Sequence, residues 1–207
     1  MSQTSPPERS KKVCLCHSRG QLYDGNETPD LQLTLSEYGQ DAIEIELTNM
    51  QYSSQKRQKI KHIILFLFVW IAYTISTSSR EVWFSKHALC DISFILWILY
   101  RLINLFSLIQ SERVIFCLDL ALQCHTVRFL QRSSNLLIPV NNIYDIVINE
   151  VIENLDVHYI LIIRTQGELF QKKPIISIFN TLHPSFECLQ KIYICLNKRM
   201  PNSNAPS

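Results

Sequence analysis

At 207 residues the chain has room for one or two small domains, and a formal net charge of +2 argues against a dedicated nucleic-acid binder, which needs a concentrated basic face. Its four glycines, Gly20, Gly25, Gly39 and Gly167, are too few for an enzyme that cradles phosphates on glycine-rich loops. Seven cysteines are an odd number in a chain well above disulfide-miniprotein size. Cys117, Cys124, Cys188 and Cys195 stand in apolar settings and read as reduced core thiols of a cytosol-facing domain.

Residues 1–30 are polar and rich in Pro, Ser and Lys, the composition of a disordered tail, and the first sixty residues hold no early apolar run of the kind that begins a secretory signal. Within the tail, Cys14-Leu15-Cys16-His17 lacks a second ligand pair and reads as inert rather than as a zinc site. Asn26-Glu27-Thr28 is a glycosylation sequon that matters only if the tail is luminal. Residues 31–55 hold two alternating runs, Leu31 to Leu35 and Ile43 to Leu47, around a turn with Gly39. They predict a cytosolic β-hairpin that joins a sheet elsewhere, because a lone hairpin is marginal.

Residues 60–110 predict a two-helix membrane hairpin. The basic run Gln55 to His62 precedes Ile63 to Ile75, which carries no charge, and Ser76 to Ser79 extend that span. Aromatic and aliphatic residues occur all round it, leaving no polar face for water. A second apolar segment, Ala88 to Ile109, is interrupted by Asp91 and Arg101. With basic residues crowding the first flank, the positive-inside rule puts both termini in the cytosol and the Arg80–His87 connector in the lumen. Arg101 within the second segment needs the other helix or a partner subunit to face, since a charge toward lipid is costly.

Residues 111–200 change texture to short strands: Arg113 to Leu118, Leu122 to Phe129, Asn135 to Val140, Ile143 to Ile152, Val157 to Arg164 and Pro174 to Phe179. A closing helix follows, with Pro184 suited to its first turn and Phe186, Leu189, Ile192, Tyr193 and Leu196 as one apolar stripe. The expected fold is therefore α+β. Two transmembrane or re-entrant helices precede a small antiparallel, pleckstrin-homology-like β-domain with one C-terminal helix.

Catalytic constellations are scarce: there is no Gly-x-Ser-x-Gly elbow, no P-loop and no dinucleotide fingerprint. The six histidines are scattered, and no catalytic, cofactor or metal residue is assigned. The most informative stretch runs from Ile138 to Ile152, where Asp145, Asn149 and Glu150 lie among β-branched residues. On a regular strand Ile146, Ile148 and Ile152 point one way and Val147 and Val151 the other, which predicts cover on both faces. Asp145 and Glu150 then fall on opposite faces, which argues against paired acid–base work. Asp145 and Asn149 share a face, suited either to the domain's own turns or to a partner.

This stretch, Ile138-Pro139-Val140-Asn141-Asn142-Ile143-Tyr144-Asp145-Ile146-Val147-Ile148-Asn149-Glu150, resembles the signature of the PIG-H family, a component of the glycosylphosphatidylinositol (GPI) N-acetylglucosaminyltransferase. The resemblance extends to Ser111 to Ile115, Leu120 to Gln123, Val157 to Leu161, Ile178-Phe179 and Leu189 to Tyr193, and the two apolar segments match the family's membrane hairpin in position. One departure is Ser185, where the family pattern implies Arg after Pro.

The resemblance implies a non-catalytic subunit, without cofactor, of a complex in the endoplasmic reticulum membrane. That complex moves N-acetylglucosamine from UDP-N-acetylglucosamine to phosphatidylinositol on the cytosolic face. The implied partners are a separate catalytic glycosyltransferase subunit, the other subunits of the complex and the bilayer. Asp145, Asn149, Glu150 and Arg101 are the candidate partner-binding residues. The residues agree, since no glutamate here stands eight positions after another, as the Glu-x7-Glu pair of such transferases requires. The alternative is a membrane-anchored phosphoinositide-binding module using Arg128, Arg132, Lys172 and Lys173.

Overall fold

A computed structural model of the chain describes residues 9–18, 28–39, 41–77, 84–131, 133–153 and 156–200. They divide into two compact units, one of Met1–Met50, Ile109–Val127 and Arg132–Ser207, the other of Gln51–Leu108 and Arg128–Gln131. The protein is α+β.

The first unit is built on two sheets. Six strands pair in chain order: β1 (Arg9–Cys16), β2 (Leu31–Tyr38), β3 (Ala42–Asn49), β4 (Ile109–Cys117), β5 (Ala121–Arg128) and β6 (Ser133–Pro139). Gly39, at a φ of +66° that favours glycine, turns β2 into β3. Three further strands form the second sheet: β7 (Ile143–Glu153), β8 (Asp156–Thr165) and β9 (Ile175–Ile178). Alternation along each strand delivers one face to the interior: Leu31, Leu33 and Leu35, then Ile43, Ile45 and Leu47, then Val114 and Phe116. These join Ile146, Leu161 and Ile163 of the second sheet in a single core cluster.

One helix closes that core. Its buried residues, Cys188, Leu189, Ile192 and Leu196, recur at helical spacing along Phe186–Asn197. A short helix at Gly167–Lys172 precedes β9; Gly167 starts it at a φ of +64°. In chain order these are α4 and α3, after the two helices of the other unit.

Several expectations need correction. Arg9–Cys16, placed in a disordered tail by its composition, is an edge strand paired with β2 along its whole length. Cys14 and Cys16 turn toward the core while Val13 and Leu15 stay exposed, an alternation masked by Lys11 and Lys12. Residues 1–8 and 19–27 of that tail, with the sequon at Asn26, lie outside the described residues. Pro184 precedes the closing helix and bridges to Ser18, and the helix begins at Phe186. Phe186 itself is exposed rather than part of the buried stripe. Cover on both faces of β7 also fails toward its end, where Ile152 is 78% exposed.

The second unit is a pair of helices, α1 (Tyr52–Thr77) and α2 (Phe84–Phe106). They are inserted between β3 and β4, which are neighbours in the first sheet. Aromatic stacking fills their seam: Phe66 on Trp97 at 3.7 Å between centroids, Phe66 on Phe94 at 5.3 Å, and Trp70 on Phe94 at 4.8 Å. Trp70 Nε1 donates to Asp91 Oδ1 at 3.3 Å, and Lys59 Nζ to the Asn104 carbonyl at 2.9 Å. Away from the seam Ile64, Leu65, Phe68, Ile95, Leu96 and Leu99 are exposed. Tyr52–Ser76, at 25 residues, is long and apolar enough to cross a membrane; the second helix does not meet that standard among the described residues. The Arg80–His87 connector lies largely outside the described residues.

Candidate partner-binding face

β7 and β8 form a long antiparallel ribbon, and a bulge sets its chemistry. Ile143 pairs with Thr165 and Asp145 with Arg164, so β7 carries one extra residue, Tyr144, at that step. The bulge lets Ile143 and Ile146 both reach the core while Tyr144 and Asp145 face outward together. Arg164 meets both. Its Nε donates to Asp145 Oδ1 at 2.7 Å and its Nη2 donates to Oδ2, a bidentate pair. The guanidinium carbon lies 5.2 Å from the Tyr144 ring centroid. The bonded carboxylate raises the pKa of Arg164 further.

Glu150 is also engaged across the ribbon. Tyr159, its partner in the ladder, donates a side-chain hydrogen bond to it, and this bond and the negative charge hold the tyrosine hydroxyl above its ordinary range. Asn149, opposite Ile160, is exposed. Asp145 and Glu150 are therefore both engaged across the ribbon, and Asn149 is exposed on the face that Asp145 shares. Arg101 belongs to the helical unit, where its guanidinium carbon lies 4.9 Å from the Trp97 ring centroid. Lys172 and Lys173 follow one another at the end of α3, Arg128 ends β5, and Arg132 is outside the described residues.

The free end of the ribbon is apolar. β9 pairs only with Leu161–Arg164, so β8 extends beyond it. There Ile152 faces Val157 across the ribbon, both exposed, and Tyr159 packs on Phe186 at 4.6 Å between centroids. A cavity of about 190 Å³ opens between Val157–Ile160 and the loop from Phe179 to Phe186, beside the buried His158. Exposed apolar side chains beside polar groups that are already engaged suit a protein surface better than a reaction centre.

The loop bordering this cavity is held from beneath. Phe179 and His183 adopt φ values of +55° and +44°, left-handed for residues that seldom take that form. Glu112, on the core side of β4 and only 5% exposed, accepts from the Thr181 amide at 3.2 Å and from the Thr181 hydroxyl. On the outer face of the same strand, Arg113 sits between Glu44 and Glu46, at 3.1 Å from each. Tyr38 donates to Glu44 at 2.6 Å. Sequence reasoning missed Glu112 as a clasp, Arg164 as the partner of Asp145 and Tyr159 as the partner of Glu150. The one available signal was Glu112 breaking the apolar alternation of its strand.

Among the described residues no group of three or more His, Cys, Asp or Glu side chains could hold a metal ion. Cys14, Cys16, Cys117, Cys124, Cys188 and Cys195 are free thiols. Cys16 and Cys188 touch: the Cys188 thiol donates to Cys16, lowering the pKa of Cys16 and raising its own, and so joins the N-terminal strand to α4. Ser185 N donates to the His17 carbonyl at 2.9 Å beside them.

Residues 109–180, from β4 to just past β9, match the family model described as "GPI-GlcNAc transferase complex, PIG-H component". Over 134 residues the chain is 31% identical to the fission yeast (Schizosaccharomyces pombe) protein "Phosphatidylinositol N-acetylglucosaminyltransferase subunit gpi15", covering 62% of this chain and 78% of the relative. No solved structure matches.

Proposed function

The chain belongs to the PIG-H family, and from that membership we propose that it works in GPI-anchor biosynthesis as a non-catalytic subunit of the N-acetylglucosaminyltransferase complex. In this reading it binds and stabilises a separate catalytic subunit that transfers N-acetylglucosamine from UDP-N-acetylglucosamine to phosphatidylinositol. The observation that carries the proposal is the match of the β4–β9 segment to the family, extended by 31% identity to a named subunit over most of that subunit's length.

The structure supports the same reading in two ways. The carboxylates of Asp145 and Glu150 are committed to cross-strand partners, leaving an exposed apolar ribbon end with Ile152, Val157 and Tyr159 as a docking surface for the catalytic subunit. A β-core closed by one C-terminal helix follows the plan of a pleckstrin-homology-like domain, used here for protein binding. The two inserted helices act as a membrane hairpin, transmembrane or re-entrant, in the endoplasmic reticulum. The basic residues before Ile63 keep both termini cytosolic.

Affinity purification of the tagged full chain from detergent-solubilised membranes tests the function: the catalytic UDP-sugar transferase is expected in the eluate, and a chain recovered without it overturns the proposal. Glycosylation acceptor sites placed in the Arg80–His87 connector test the topology. Modification there is expected if the connector is luminal.

A further inference from the structure

The seam of the helical unit contains a buried guanidinium nitrogen with no hydrogen-bond partner among the described residues. It is Nε of Arg101, which is half-buried on α2 and stacked over Trp97. A buried guanidinium donor without an acceptor is costly, and a guanidinium matches phosphate oxygens with paired donors.

Its depth is fixed by its neighbours. Lys59 meets Asn104 and Phe66 meets Trp97, so the antiparallel pair sets Arg101 opposite the His62–Ile63 turn of α1. That is the point where the basic run of Lys56, Arg57, Lys59, Lys61 and His62 gives way to the charge-free stretch. In the membrane reading proposed above, on which this inference rests, this level is the polar boundary of the bilayer, where lipid phosphates lie.

Directly below the guanidinium the two helices leave a groove of about 480 Å³ lined by Phe66, Val69, Trp70, Tyr73, Phe94 and Trp97. Trp97 is shared: it carries Arg101 and it lines the groove. A guanidinium with an unpartnered donor at the boundary above an apolar trough suits an acidic glycerophospholipid, with its phosphate on Arg101, no quaternary ammonium in the headgroup to offset that charge, and an acyl chain in the trough. A carboxylate from another membrane helix would meet Arg101 but would not fill the trough.

We propose that the α1–α2 seam is a binding site for an anionic glycerophospholipid, with Arg101 as the phosphate ligand and the Phe66–Trp97 groove as the acyl-chain site. The lipid supplies the acceptor that Arg101 lacks and packs the two helices together.

The test uses the full chain in phosphatidylcholine nanodiscs, with Trp83→Phe so that Trp70 and Trp97 report. Phosphatidylserine brominated on its acyl chains is compared with equally brominated phosphatidylcholine as a quencher of that fluorescence. The anionic lipid is expected to quench at lower mole fraction. Arg101→Gln is expected to weaken its apparent association about tenfold, the loss of one charge-assisted bond, and Arg101→Lys to lose less. Ser93→Phe, at a position that also lines the groove, fills it without adding a fluorophore or touching Arg101, and is expected to reduce quenching with the charge intact.

Equal quenching by both lipids would show embedded helices with no preference for a net negative headgroup and would overturn the proposal while sparing the membrane reading. No quenching by either would overturn both. Displacement by inorganic phosphate would assign Arg101 to a soluble anion and overturn the lipid site.

Discussion

Replacing Glu112 with alanine removes the acceptor beneath the Phe179–His183 loop. One buried carboxylate oxygen takes both the Thr181 amide and its hydroxyl, and hydrogen bonds to a charged group contribute about 1.5–3 kcal/mol each. Against this, the substitution relieves the cost of keeping a carboxylate only 5% exposed. The net loss is about 2–3 kcal/mol, since the left-handed Phe179 and His183 are then held by fewer contacts. For a unit of this size that lowers Tm by roughly 5–10 °C.

Thermal unfolding of the full chain in detergent, followed by near-ultraviolet circular dichroism, measures it. Glu112→Gln keeps an acceptor oxygen without the charge and is expected to lose about half as much. Combining Glu112→Ala with Thr181→Val is expected to show at least ~1 kcal/mol of coupling, because the two act through one contact. An unchanged or higher Tm for Glu112→Ala, or strictly additive effects, would refute the clasp.

Three further outcomes follow from packing and charge. Ile146→Asp buries an unpaired carboxylate in the core and is expected to unfold the β-unit, whereas Ile152→Asp, at a site 78% exposed, is expected to leave Tm within a few degrees; circular dichroism of both variants checks the contrast. Asp145→Ala breaks an ion pair with an exposed arginine and is expected to lower the urea midpoint only slightly, with part of that recovered by also replacing Arg164. Burial pushes the Cys124 thiol up to about 12. The unfolded chain loses that proton near pH 8.5, so the neutral thiol stabilises the fold fully below that pH, and stability falls by about 1.4 kcal/mol per pH unit above it until the folded thiol ionises. Cys124→Ala is expected to flatten this alkaline decline in denaturant titrations between pH 9 and 11, and a decline of unchanged slope would contradict the assignment.

The strands from β4 to β9 were legible because short alternating runs separated by polar turns leave few other ways to bury their apolar faces. The hairpin of β2 and β3 was legible for the same reason, with Gly39 at its turn. β1 was not, because an edge strand needs only one apolar face and Lys11–Lys12 gave its stretch the composition of a tail. The face shared by Asp145 and Asn149 could be read from spacing, but the bulge at Tyr144 and the arginine across the ladder could not. Both depend on which residues of β8 stand opposite, and register comes from the folded pair. Arg101 was legible as a charge in need of a partner. Its place one turn above an aromatic groove required the antiparallel setting of the two helices.

The central claim is that the chain serves a separate catalytic subunit and does not itself transfer sugar. It is tested most directly by assaying transfer of N-acetylglucosamine from UDP-N-acetylglucosamine to phosphatidylinositol with material affinity-purified through the tagged full chain. The account predicts activity in eluates that contain the co-purifying transferase, and none after that partner has been stripped by a high-salt, detergent wash. Activity persisting in the chain alone, or failure to bring down any UDP-sugar transferase under mild solubilisation, would contradict it.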